Sequence, residues 1–209
     1  MTKVLIIGDS HIPRRAKEIP QAILEKLDDL TKTELFEYTF FTGDQIKCPE
    51  FMNFLKVKTR KNLFIVIGNM DYYGGNREAP MYQKAEFMLS NGIKMTIGLT
   101  HGHQISPRGD HNQLEMLAIK KKYHILISGH THKEEIFLTK KGILLLNPGS
   151  VTGAWSFVAS GIPSFIILSI NEKVGEIDVV LFKLEKKTSK FKEIRSYFVF
   201  KNHEIIERY

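Results

Sequence analysis

Five short apolar runs in this chain each stop at a glycine-bearing cluster of side chains that bind metal ions. VLII runs into Gly8-Asp9-Ser10-His11 and TFFT into Gly43-Asp44. LFIVI runs into Gly68-Asn69, MTIGLT into His101-Gly102-His103, and ILIS into Gly129-His130-Thr131-His132. Runs this short and this apolar read as strands buried on both faces. If they are neighbouring strands of one sheet, their ends lie side by side and the polar clusters converge. The glycines let the backbone turn sharply and approach a ligand closely.

The rest of the chain supplies a frame for such strands. Residues 4–7, 39–42 and 63–67 read as strands. Between them, residues 16–30 carry Ile19, Ile23, Leu24, Leu27 and Leu30 at helical spacing, with Pro20 early enough to be tolerated. Residues 49–58 form a short helix with Pro49 near its start. This alternation argues for a mostly parallel central sheet carrying helices. Further along, residues 85–90 and 93–99 flank Asn91-Gly92, a hairpin signal. A helix over 112–122 and a strand over 125–128 follow. Residues 135–139 and 143–147 form a second hairpin around Lys140-Lys141-Gly142, before the tight turn Asn147-Pro148-Gly149-Ser150. Strands over 164–170, 177–183 and 197–200 end the chain, with a turn around 186–190. The expected fold class is α/β, a two-sheet β-sandwich flanked by helices. Residues 1–185 form one domain. Residues 186–209 are a C-terminal extension, a hairpin or a tail, in the same domain or appended to it.

Composition narrows the partners. The net charge of +7 favours an anionic partner: phosphate, nucleic acid or a membrane surface. Its short basic runs, Lys120-Lys121-Lys122, Lys140-Lys141 and Lys186-Lys187, read as solvated helix ends and turns. No basic-aromatic motif supports nucleic acid, which ranks last. Cys48 is alone, which excludes an intrachain disulfide and a cysteine zinc cage and fits an intracellular compartment. The N-terminus lacks a secretory pattern, and no apolar stretch approaches the roughly 20 residues of a membrane span. A cytoplasmic protein is expected, with any membrane association peripheral and through a partner.

The cluster chemistry is more specific. Asp9 and His11, like His130 and His132, stand two residues apart, so both members of each pair can reach one ion from an extended segment. With Asp44, Asn69 and His101 they make seven oxygen or imidazole ligands. Mixed ligation of this kind suits Mn, Fe, Zn or Co better than Mg. Seven ligands are too many for one ion and suit two that share a bridging carboxylate. Ion pairs roughly 3.5–4 Å apart hydrolyse phosphate esters by polarising phosphoryl oxygens and supplying a hydroxide at neutral pH.

In order, Gly8-Asp9-x-His11, Gly43-Asp44, Gly68-Asn69, His101-Gly102 and Gly129-His130-x-His132 resemble the motif set of the calcineurin-like metallophosphoesterases. The stretches GDSHIPRR, THGHQISPRGD, ILISGHTHK, NPGSVTGAW and IPSF resemble the branch that includes the small retromer subunits and related phosphodiesterases. The resemblance covers residues 3 to 183. It implies one metal on Asp9, His11 and His132, a second on Asn69, His101 and His130, and Asp44 as the bridge. His103 would face substrate phosphate. Many members carry a catalytic histidine after the Gly-Asn pair; here it is Met70, which can neither donate nor accept a proton.

Two functions follow. One is a dinuclear-metal phosphoesterase that hydrolyses phosphodiesters or small phosphate esters with a metal-bridging hydroxide, the ions being Mn, Zn or Fe. The other is a non-catalytic scaffold of a retromer-like endosomal sorting coat, which holds a helical-solenoid partner through the metal-bearing face. Asp71 reads as a supporting or turn-forming residue. Arg14 and Arg15 follow the first ligand loop and are candidates either for phosphate contact or for an exposed helix start. The loop aromatics Tyr72-Tyr73 and Trp155-Ser156-Phe157 are candidates either for partner contact or for folding over the core. His111, His124 and His203 match no motif.

Overall fold

A computed structural model of the protein describes residues 1–185 and 188–208. The large sheet begins with β1 (Thr2–Ile7), which leads to helix α1 (Gln21–Leu30) and then β2 (Phe36–Phe41). Helix α2 (Pro49–Val57), β3 (Thr59–Ile65) and the one-turn helix α3 (Asn69–Tyr73) complete the first half. The second sheet takes β4 (Tyr82–Met88), β5 (Lys94–Thr100), then, after helix α4 (His111–Lys121), β6 (Ile125–Ile127), β7 (Glu135–Leu138) and β8 (Leu144–Asn147). The chain then returns to the large sheet with β9 (Ser164–Asn171), β10 (Glu176–Leu184), β11 (Phe191–Lys201) and β12 (Glu204–Glu207).

The large sheet runs β12-β11-β10-β9-β1-β2-β3 and the smaller one β4-β5-β6-β8-β7. Strands β1, β2 and β3 are mutually parallel. So are β5, β6 and β8. The five ligand-ended runs are therefore not strands of one sheet. Three belong to the large sheet and two to the smaller, and they meet because the sheets pack face to face.

Alternation within a strand builds the layers. Val4 and Ile6 point into the core between the sheets, with Ile97, Ile127, Leu144 and Leu168. Leu5 and Ile7 point the other way, onto Ile23 and Leu27 of α1 and Phe51 and Leu55 of α2. On the far side Leu126 and Leu145 pack against Leu114 and Ala118 of α4. The order is helix, sheet, sheet, helix, the expected fold class, and it follows from the period of two along each strand.

Several boundaries differ from the expectations. Helix α1 starts at Gln21, with Pro20 as its N-cap and not inside it. Proline has no N–H and drives the preceding residue out of the helical region, so residues 16–19 stay outside. Strand β3 starts at Thr59, before the expected position, and ends at Ile65, so Val66 and Ile67 lead into the ligand loop. The two hairpins form as expected. Strand β11 is longer than the expected 197–200 and pairs with β10 and β12. Phe198, Phe200 and Ile205 enter the core between the sheets. Lys186 and Lys187, part of an expected turn, lie outside the described residues.

Candidate metal centre

The parallel strands of both sheets end at one edge of the sandwich, and the polar loops meet there. Asp9, His11, Asp44, His101, His130 and His132 are all buried. Five of these six have positive φ: Asp9 at 51°, His11 at 50°, Asp44 at 53°, His130 at 67° and His132 at 58°. Non-glycine residues hold the left-handed region only when their surroundings over-determine it. Each side chain is turned sharply out of its strand line. The close approach needs the neighbouring glycine: a Cβ on Gly68 would collide with the Asp44 carboxylate and backbone nitrogen.

Two trios assemble. Ligand atoms of Asp9, His11 and His132 lie within 4.8 Å of one another, and so do those of Asp9, Asp44 and His101. In the first, His132 Nε2 is 3.3 Å from Asp9 Oδ1 and 2.9 Å from His11 Nε2. Nδ1 of His132 donates to the Ala154 carbonyl at 2.9 Å, which leaves the Nε2 lone pair facing inward. In the second, Nδ1 of His101 donates to the Thr42 carbonyl at 2.7 Å. Its Nε2 then faces Asn69 Oδ1 at 3.1 Å and Asp44 Oδ2 at 3.5 Å. Asp44 Oδ2 is also 3.4 Å from His11 Nε2. One carboxylate oxygen thus stands between imidazoles of the two trios. His130 lies beside His101, ring centroids 5.1 Å apart and nearly perpendicular, outside the tight trios. His103 is further out, 5.6 Å from His101 and 6.3 Å from His130 between centroids.

The electrostatics suit cations. Burial pushes the Asp9 carboxyl up, but His132, His11 and His101 around it outweigh that and hold it well below the usual carboxylate range. Asp9 Oδ1 is buried and has no hydrogen-bond partner, as is Nδ1 of His11. A buried carboxylate oxygen left bare among imidazole nitrogens is what a bound divalent ion would satisfy. Burial, then the charges of His101 and Arg108, push His130 down to about 3. His132 is raised: burial opposes its charged form, but Asp9 and the Ala154 carbonyl outweigh it. Burial also lowers His103, with His101 adding to the effect.

Supporting groups come from far along the chain. Thr42 Oγ1 donates to Asp9 Oδ2 at 3.0 Å. Ser150 Oγ donates to the Asp9 carbonyl at 2.7 Å, so the Asn147–Ser150 turn buttresses the first ligand loop. Asp71, from α3, accepts backbone N–H groups of Asp44, Ile46 and Gly68. The backbone N–H of Met70 donates to Asp44 Oδ1 at 2.7 Å. The motifs mark the ligands but not Thr42 or Ser150. The only signal for those two was their place beside a ligand loop. His111 pairs with Glu135 at 2.8 Å, and His124 accepts the Thr96 N–H; neither joins the centre.

Tyr72 and Tyr73 lie on α3 and not in a loop, and both are exposed, as are Trp155 and Phe157. None of the four folds over the core. No helix among the described residues is long and apolar enough to cross a membrane.

The family model of the calcineurin-like phosphoesterase superfamily domain matches residues 2–173. A probable metallophosphoesterase of Methanothermobacter thermautotrophicus is 35% identical over 147 residues, 70% of this chain and 76% of that protein. Vacuolar Protein Sorting 29 of Cryptosporidium parvum superposes with a TM-score of 0.79 at 30% identity, over 94% of this chain and 97% of that one. Wild-type Vps29 of Entamoeba histolytica, solved as a complex with Zn2+, superposes with a TM-score of 0.72 at 30% identity, over 92% and 98%.

Proposed function

The chain belongs to the calcineurin-like phosphoesterase superfamily, and on that premise we propose that it is a dinuclear-metal phosphoesterase acting on phosphodiesters or small phosphate esters. The reading is carried by Asp44 Oδ2, which stands 3.4 Å from His11 Nε2 and 3.5 Å from His101 Nε2. A carboxylate so placed suits a bridge between two cations. Asp9, His11 and His132 would hold one, and Asn69, His101 and His130 would hold the other.

Two bound divalent ions of the Mn, Zn or Fe kind supply Lewis-acid polarisation of the ester and an activated water at neutral pH. The protein's own part is positional. The Ala154 and Thr42 carbonyls fix the His132 and His101 tautomers, and the buried loops keep bulk water from the carboxylates. His103 is half-buried, and burial, with His101 adding to it, lowers its pKa; its ring N–H would donate one hydrogen bond to a phosphoryl oxygen of the ester. Met70 offers no proton through its side chain, so leaving-group protonation is weak and substrates with good leaving groups are favoured.

The test is Mn-dependent hydrolysis of bis-p-nitrophenyl phosphate. Asp9→Ala, Asp44→Asn and His132→Ala should each abolish it. Fully loaded protein with no turnover above background would sink this reading.

The likeness to Vps29 over nearly the whole chain favours a second reading, a scaffold of a retromer-like coat. Tyr72 and Tyr73, 47% and 76% exposed beside Asn69, would then meet a helical-solenoid partner, through which the protein would reach a membrane surface. Co-purification of such a partner, lost on Tyr72→Ala/Tyr73→Ala, tests it; an unaltered complex in that variant counts against it.

A further inference from the structure

Two arginines and two exposed rings border the metal centre without a role so far. Trp155 and Phe157 are 62% and 80% exposed, and they pack edge to face with centroids 5.0 Å apart. Their loop is anchored to the ligands. The Ala154 carbonyl takes the His132 Nδ1–H, and the Ala154 N–H donates to Ser150 Oγ at 2.9 Å. Arg15 Nη1 donates to the Trp155 carbonyl at 2.8 Å, while the Arg15 N–H donates to the His11 carbonyl at 2.9 Å. Arg108 lies over Phe157 at 5.8 Å from its centroid. The next residue, Gly109, packs so tightly on Thr131 that an added Cβ would stand 3.0 Å from its methyl. Thr131 is the residue between His130 and His132. Arg15 is thus bonded to the backbone on both sides, at His11 and at Trp155, and Arg108, next to a glycine packed on the His130–His132 loop, reaches Phe157.

Among the described residues neither guanidinium is paired with a carboxylate. A cavity of about 250 Å³ opens behind Arg108, with Lys133, His111 and Glu135 also in its wall. Glu135 lies 2.8 Å from His111 and 4.0 Å from Lys133, which leaves Arg108 as the cation without a carboxylate partner there among the described residues. Planar guanidiniums suit bidentate contact with phosphate oxygens. Rigid exposed rings beside them offer π-faces to a flat group. An apolar protein surface would use the rings and leave two unpaired cations against it.

Resting on the phosphoesterase reading, we infer that Arg15, Arg108, Trp155 and Phe157 form a lip that holds a phosphate ester carrying an aromatic base, the chemistry of a nucleotide. The phosphate lies between the arginines and the metal ligands, and the base stacks on the Trp155–Phe157 pair.

Trp155 is the single tryptophan of the chain, so its fluorescence reports on the lip directly. Mn-loaded protein is titrated with adenosine 5′-monophosphate and, separately, with ribose 5-phosphate. The nucleotide should change Trp155 emission and bind about tenfold tighter than the sugar phosphate. Arg108→Gln should weaken both ligands several-fold, and Phe157→Ala should bring their affinities towards equality. Equal affinities in the wild type, no binding of either, or nucleotide binding without a change in emission would each overturn the lip; a surface made for a protein partner gives the first of these. Hydrolysis of bis-p-nitrophenyl phosphate is followed in parallel. Turnover with equal affinities removes the lip and leaves the phosphoesterase reading standing. Selective nucleotide binding without turnover does the reverse.

Discussion

Asp71 is the residue through which the centre can be weakened without touching a ligand. It is 4% exposed. Its Oδ2 accepts the N–H of Asp44 at 2.7 Å and of Gly68 at 3.1 Å; its Oδ1 accepts that of Ile46 at 2.8 Å. In return Asp44 Oδ1 accepts the Met70 N–H, which leaves Asp44 Oδ2 free to face the two histidines. Asp71→Ala strands two buried N–H groups, Asp44 and Gly68, at about 1–3 kcal/mol each. The half-buried Ile46 N–H can turn to water and adds little. Burial raises the Asp71 pKa, so removing the carboxylate also relieves a desolvation cost that offsets part of the loss. The net expectation is about 2–5 kcal/mol of lost stability. Urea unfolding in the presence of a chelator measures it, and Mn titration calorimetry measures the accompanying loss of affinity. Asp71→Asn keeps the shape and one acceptor and should fall between wild type and alanine in both. A loss below about 1 kcal/mol in Asp71→Ala, with metal affinity unchanged, would refute the claim that Asp71 positions Asp44.

Further outcomes follow from the same geometry. Metal affinity should rise with pH through the range where His132 titrates. Its pKa is raised, so its proton competes with the ion at and somewhat above the ordinary imidazole value. His130, pushed down to about 3, is already neutral there and adds no dependence. Mn titrations between about pH 6 and pH 9 check the sign, and a falling affinity would contradict the assigned partners of His132. Gly68→Ala should abolish metal binding or folding, because the new Cβ meets the Asp44 backbone as well as its carboxylate; near-normal Mn binding in a soluble variant would count against that close approach. Phe165 is fully buried and stacks on Phe182 at 4.9 Å. Phe165→Ala should cost about 3–5 kcal/mol by thermal or urea unfolding and leave the metal stoichiometry of the folded fraction intact.

The sequence by itself determined the layers and the set of candidate ligands, because both rest on short-range rules. Val4 and Ile6 face one core and Leu5 and Ile7 the other through the period of two along a strand, and that alternation is written in adjacent residues. Asp9-x-His11 brings both its members into one trio from within three positions, with a glycine beside it to permit the turn. The same spacing does not do so for His130 and His132, since His132 joins Asp9 and His11 while His130 lies beside His101. Helix α3, at five residues, is too short for periodicity to reveal and came only with the structure. So did the partition of the five ligand-ended strands between two sheets, since a run buried on both faces looks the same in either. Tertiary structure alone decided that Asp44 turns one oxygen to Met70 and the other to the histidines. It also decided that the loop of Ala154 both holds His132 and presents Trp155 and Phe157 to solvent. Those contacts join segments more than a hundred residues apart along some pairs, as in Asp9 and Ser150. Local propensity has no term for such pairs; only the packing of one sheet on the other brings them within bonding distance.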